Sequence, residues 1–250
     1  MVSFISRVAP SVIRMVRVIL GIRVQATIAV VGGTGAEGSG LALRFAQAGV
    51  RVRIGSRSVQ KAEDAARRIQ RQLSAADVTG HMNEEAIAAA GIVILTVPLS
   101  AQVETLKSIR GSITPGTILV DATVPLEIAI GGRLSRTLAL WDGSAAQQAA
   151  RLVPGVPVVA AFHSLSAEAL AKLDRSLDCD TLICGDSADA KAAVMQLAAM
   201  IPGVRAIDAG PLENARLLES AAVLLISLNL RHKVKESGMR ITGLPSGAKP

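Results

Sequence analysis

Aromatic side chains are almost missing from this chain. Its 250 residues include three Phe, one Trp and no Tyr, although half of them are hydrophobic. The core must therefore be built from Ala, Val, Ile and Leu, a mixture that suits a parallel sheet covered by helices. The same scarcity argues against nucleic acid as a partner, because base stacking needs aromatic faces, and no helix-turn-helix, zinc-finger or RNP pattern occurs either. Cysteine is scarce too. Cys179 and Cys184 are too few for a disulfide framework and fit a reducing cytoplasm. His81, His163 and His232 lie far apart in sequence, so no metal site is expected. Long uncharged apolar runs are also lacking. Arg7, Arg14, Arg17 and Arg23 break up residues 1–25, so no stretch there approaches the ~18 apolar residues of a spanning helix. That segment reads as an N-terminal extension with no role in the fold, Met15 being a candidate later start. The alternative is a basic amphipathic helix with Arg7, Arg14 and Arg17 on one face, and membrane contact is not expected.

What is present is a surplus of positive charge and a regular alternation of patterns. The net charge is +7, from 27 basic and 20 acidic residues, which favours an anionic small molecule as partner. Short β-branched runs at 26–31, 50–54, 92–97, 117–121 and 156–161 read as strands. Helical patterns at 40–48, 61–73, 83–90 and 101–109 separate the earlier ones, with Gly49 closing the first helix and Asn83 as N-cap of the third. This order gives βαβ units and a doubly wound parallel sheet of Rossmann type over residues 26–165. The pattern recurs on a smaller scale at 181–184, 188–200 and 204–208, followed by a long apolar helix at 213–230. Residues 166–243 are thus expected to form a smaller C-terminal α/β portion for substrate and dimer contacts, and residues 244–250 a disordered tail.

The first strand runs into Gly32-Gly33-Thr34-Gly35-Ala36-Glu37-Gly38, with G-x-G-x-x-G at 33, 35 and 38. Alone this motif is weak, but a strand before it and a helix after it supply the context of a dinucleotide loop. Gly33 is expected to make the tight turn, Gly35 to let the backbone reach the pyrophosphate, and Gly38 to let helix and strand pack closely. The helix N-terminus then offers free N–H groups to the phosphates around Thr34, Ala36 and Glu37. The end of the second strand lacks something more telling. An NAD site carries an Asp or Glu there for the ribose 2′-hydroxyl; this chain has Ser56 and Arg57, with Lys61 close behind. A carboxylate would repel a 2′-phosphate, whereas a guanidinium pairs with it through a planar fork. NADP(H), not NAD(H), is the expected cofactor. Thr96, Val97 and Pro98 end a strand at the edge where ligands bind in such sheets, and are expected to line the NADP path.

Several motifs together resemble one family. GGTGxxGxGLALR at 32–44, GSRxxxKA at 55–62, LTVP at 95–98, ICGD at 183–186 and DAGPLxNxRLLES at 208–220 look like the NADPH-dependent reductases of the deazaflavin coenzyme F420. The closing GMRITG at 238–243 is similar to a terminal motif of bacterial members. The resemblance implies hydride transfer between nicotinamide C4 and C5 of an 8-hydroxy-5-deazaflavin, which requires two flat rings stacked at about 3–3.5 Å and no covalent nucleophile. It agrees with the lack of any lysine between Lys107 and Lys172, where related hydroxyacid dehydrogenases place a catalytic one. By resemblance, His163 and Leu165 are the residues at the reacting rings, His163 bonding a ring edge and Leu165 backing the stack. Ser164 and Leu212 join them in the substrate pocket, and Thr123 borders the nicotinamide. Leu99 stands where archaeal-type members have a bulky aromatic, and Ser166 where the family has Pro after the His-x-hydrophobic element; both border the second substrate. Two other readings share the nucleotide site: an NADPH-dependent flavin or ferric-chelate reductase, and a non-catalytic NADPH-binding regulator. The expected protein is thus a cytoplasmic homodimer acting on a small-molecule deazaflavin.

Overall fold

The structure is a computed structural model that describes residues 27–244. The expectations for the extension 1–25 and the tail from 245 fall outside the described residues. Eight strands among those residues form one sheet: β1 (Thr27–Val31), β2 (Arg51–Ser56), β3 (Val78–Met82), β4 (Ile92–Leu95), β5 (Ile118–Asp121), β6 (Val158–Ala160), β7 (Cys179–Gly185) and β8 (Val204–Asp208). Their order is β3-β2-β1-β4-β5-β6-β7-β8. The first six pair in parallel. β7 joins β6 antiparallel, Val159 facing Gly185, and β8 runs parallel to β7. The smaller C-terminal repeat foreseen from the sequence therefore extends the same sheet through an antiparallel joint.

Both faces of this sheet are covered. Along β1, Ile28 and Val30 point into one core, with Leu41 and Phe45 of α1 (Ala36–Gln47) and Ala62 and Ile69 of α2 (Val59–Gln72). Ala29 and Val31 point into the other, with Ile87 of α3 (Asn83–Ala88), Leu106 of α4 (Leu99–Ile109), Ala146 of α5 (Ala145–Leu152) and Leu218 of α8 (Ala215–His232). The period of two in an unbroken apolar strand thus feeds two helical layers. α6 (Ala167–Leu170) is tied to α1 by Arg44, a buried side chain whose guanidinium donates to the carbonyls of Leu170, Ala169, Lys172 and Arg175. Gly40 makes that approach possible, since a Cβ there would lie 2.7 Å from Leu170 Cβ. α7 (Ala188–Ala198) covers β7 and β8.

Some elements differ from the sequence expectation. Asn83 is not an N-cap. Met82 takes that place, and Asn83 is the first helical residue with its side chain buried. β3 was not expected at all; Gly80 and His81 dilute its apolar pattern. Gly80 has a packing reason, because a Cβ there would fall 2.2 Å from the α2 backbone at Ala62 and Glu63. α1 begins at Ala36 rather than 40, because the small and polar side chains of its first turn, Ala36 to Ser39, add nothing to the apolar period. The chain passes from β1 out to β3 and returns to β4, so the strand order reverses between β1 and β4. That reversal opens a crevice at their carboxyl ends, where ligands bind in open α/β sheets.

Candidate functional site

The glycine loop lies in that crevice. Gly32 carries the left-handed turn, φ +82°, a role the sequence reading gave to Gly33. Gly33 is needed for another reason: a Cβ there would sit 2.8 Å from Val30 O. Gly38 fits the close packing expected of it, because a Cβ would meet Thr96 Oγ1 at 2.4 Å. Thr96 in turn donates to Val31 O at 3.0 Å and locks the ends of β1 and β4 together. Gly35 is the N-cap of α1, and no side chain caps that helix. Its first-turn N–H groups therefore remain available to an anion, aided by the helix dipole.

Past the loop runs a cavity of about 420 Å³ that brings together Thr34, Gly35, Ser56, Arg57, Lys61, Thr96, Val97 and Pro98, all expected from the sequence. Gly32, Ser58, Asn83, Ala101 and Thr105 complete it and were not foreseen. A second cavity of about 470 Å³ shares Arg57, Asn83, Ala101 and Thr105 with the first, so the two form one trough with Arg57 between them. Ser56 Oγ accepts from the Ser58 N–H at 3.2 Å, which leaves its own O–H free to donate. Ser58 caps α2 by accepting from the Lys61 N–H, and the first turn of α2 carries no acid. Among the described residues, neither Arg57 nor Lys61 pairs with a carboxylate. Two exposed cations, a hydroxyl donor and a helix N-terminus thus face one spot at the end of β2, a suitable seat for a phosphate monoester.

Past the end of β5 the polar groups are buried. Thr123 is buried and its Oγ1 has no hydrogen-bond partner. Its N–H donates to Asp121 Oδ1 at 2.8 Å, while Gln102 Nε2 donates to Asp121 Oδ2 at 2.6 Å. Burial pushes the Asp121 carboxyl up to about 6, against the bonds from Thr123 and Gln102. Near it, Glu37 is half-buried as a residue, but burial of its carboxyl and then the charge of Asp121 raise it to about 8. His163 is 8% exposed, and neither ring nitrogen has a hydrogen-bond partner. Burial lowers its pKa to about 4, opposed by the adjacent Thr123 backbone, so the imidazole is neutral near pH 7. Phe162 before it holds a left-handed backbone, φ 72°, while fully buried and edge-on to Phe45 at 5.9 Å. A strained non-glycine residue that aims its neighbour is characteristic of functional turns.

The remaining expected residues are more scattered. Ser164 donates its hydroxyl to Asp180 O at 2.7 Å. Leu165 lies in the core with Phe45 and Phe162. Gly33, Ala36, Glu37 and Gly38 support the loop without lining the 420 Å³ cavity. Leu212 lines a separate cavity of about 600 Å³ with Asp142, Asp186 and Glu213. Its N–H donates to Asp186 Oδ1 at 2.9 Å, which gives the ICGD motif a role in placing the segment after β8. Among the described residues, no group of three or more His, Cys, Asp or Glu side chains is placed to hold a metal ion.

Residues 27–125 match a family described as NADP oxidoreductase, coenzyme F420-dependent. The chain is 49% identical to the F420-dependent NADP reductase of Methanothermobacter thermautotrophicus over 222 residues, covering 87% of this chain and 95% of that one. It is also 49% identical to the F420-dependent NADP reductase of Methanothermobacter marburgensis, over 87% of this chain and 99% of that one. Among solved structures, a putative F420-dependent NADP reductase from an Arthrobacter species superposes with a TM-score of 0.72 at 24% identity, over 86% of this chain and 99% of that one. That likeness supports the fold.

Proposed function

The chain belongs to the family of F420-dependent NADP reductases, and on that premise we propose that it passes a hydride between NADP(H) and the 8-hydroxy-5-deazaflavin coenzyme F420. The observation that carries the NADP half is the trough in which Ser56, Arg57 and Lys61 face an acid-free ribose position. The glycine loop and the uncapped α1 N-terminus hold the pyrophosphate. Thr96, Val97 and Pro98 guide the chain of the dinucleotide toward Thr123. The unpartnered Thr123 Oγ1 and the two unpartnered His163 nitrogens fit polar ring edges, because buried polar atoms of this kind need partners.

Together the two bound molecules supply the redox chemistry: the hydride leaves C4 of the nicotinamide for C5 of the deazaflavin, and a proton from water completes the reduced ring. The protein's part is to orient and to exclude water. His163, held neutral, can offer one N–H donor and one lone pair without placing a charge beside the rings. Leu165, packed with Phe162 in the core, contributes apolar surface next to the His163 turn. The flavin-reductase and regulator readings share the nucleotide trough, but the relatives at 49% identity are named for F420. α8 leaves Leu217, Leu224, Leu228 and Leu230 exposed, which supports a homodimer closed over that helix. Two free cysteines favour the cytoplasm; among the described residues no helix is long and apolar enough to cross a membrane.

The test is isotopic. NADPH carrying deuterium at both C4 positions should deliver deuterium to a carbon of the reduced deazaflavin, read by mass spectrometry. Reduced deazaflavin without label, or none at all from enzyme that binds NADPH, contradicts the reading.

A further inference from the structure

The terminal GMRITG motif has no part in the function as described so far, yet the structure gives it a defined place. Asp180 on β7 is fully buried, and four donors converge on its carboxylate. Arg205 reaches it through Nε at 2.9 Å and a terminal nitrogen at 2.6 Å, Arg240 at 2.8 Å, and the Ile241 N–H at 2.6 Å. These donors, Arg205 first, hold the Asp180 carboxyl well below the usual carboxylate range, so it stays ionised. Its backbone is engaged as well: the N–H donates to Met239 O at 2.8 Å, and the carbonyl accepts from Ser164 Oγ at 2.7 Å. One residue therefore ties the terminal segment to the turn that carries His163. Gly38 has a counterpart here in Gly238, where a Cβ would lie 3.0 Å from Cys179 Sγ.

The segment brings Met239 beside His163. Those two, with Ser164, Leu182, Leu218 and Ala221, line one small pocket. Because His163 has no hydrogen bond to fix its ring, packing has to set its orientation. We propose that residues 238–241 are a strap that holds the His163 ring from behind, Met239 being the contact and Asp180 the positioning residue that anchors it. The proposal rests on the deazaflavin reading of the His163 pocket.

Met239→Ala, Met239→Leu and Arg240→Ala test it. Three quantities are measured: the dissociation constant of oxidised deazaflavin by its fluorescence, the dissociation constant of NADPH, and the rate at which a thiol reagent labels Cys179. Met239→Ala should weaken deazaflavin binding roughly tenfold, the equivalent of about 1.4 kcal/mol, with NADPH binding unchanged, and Met239→Leu should restore it. Arg240→Ala leaves Arg205 on Asp180 but frees the strap, so Cys179 should label faster and deazaflavin binding should weaken as well. Faster labelling with unchanged deazaflavin affinity would show a strap that merely covers β7, and would overturn the proposal; so would an unchanged Met239→Ala protein. Failure of the underlying reading shows separately, as wild-type protein that binds NADPH and no deazaflavin.

Discussion

At the scale of single residues, the proposed function gives Arg57 the task of separating the two nicotinamide cofactors. It is exposed and free of ion pairs among the described residues, so it is available to the 2′-phosphate that the proposal assigns to it. Arg57→Glu should weaken NADPH on the order of 100-fold while NADH changes little, as expected when a charge-assisted fork becomes a like-charge contact. Equal losses for both cofactors in a binding titration would remove Arg57 from that role. Gly38→Ala should destabilise by about 1–3 kcal/mol, the usual range for overpacking, because its Cβ has only 2.4 Å to Thr96 Oγ1; a Tm equal to wild type would contradict this. His163 predicts a pH behaviour. With its folded pKa near 4 and an ordinary value of 6.5, the unfolded chain takes the proton first as pH falls. Stability should therefore drop between about pH 6.5 and 4, and His163→Ala should flatten that part of a Tm-against-pH curve. Ser56, Arg57 and Lys61 were legible because charge chemistry at a strand end is local in sequence. Asp121 and Asn83 were not, because only the fold shows that their side chains are buried beside the crevice.

At the scale of elements, helix ends do much of the positioning. Both oxygens of Glu219 on α8 accept from the first N–H groups of α5, Ala145 at 3.0 Å and Ala146 at 3.1 Å. Burial still pushes this carboxyl up to about 8, with Asp121 adding to the rise and the two N–H groups opposing it. A folded pKa above the ordinary 4.5 means that the contribution to stability is complete at low pH and fades as pH climbs toward 8. Tm should therefore fall across that interval, and Glu219→Gln should reduce the slope; parallel curves would show that Glu219 does not titrate there. α5 itself had a readable signal, a capping pair of Ser144 and Gln147 in which the Gln147 N–H donates to Ser144 Oγ at 3.0 Å. Its Ala- and Gln-rich composition hid the apolar stripe. β3 was hidden differently, since Gly80 marks the place where α2 presses on the strand rather than a break in it. β1 was legible as a short β-branched run ending in glycines, and α8 as a long apolar stretch.

At the scale of the whole molecule, the doubly wound parallel sheet was legible from the alternation of patterns, while its edge strand β3 and the antiparallel joint between β6 and β7 were not, the latter because nothing local marks strand direction. That joint keeps the late motifs close to the His163 turn: β7 supplies Thr181 to the Phe162 N–H and Asp180 to Ser164. The molecule thus has one end with the exposed cations Arg57 and Lys61 and another with the orphaned polar atoms of Thr123 and His163. The central claim is that these two ends serve NADPH and a deazaflavin together. It is tested most directly by mixing the purified protein with oxidised F420 and NADPH, following the deazaflavin absorbance, with NADH and free flavin in parallel. The account predicts bleaching of the deazaflavin band with NADPH, little with NADH and no consumption of free flavin. An unchanged deazaflavin band from protein that binds NADPH, or equal rates with NADH, would contradict it.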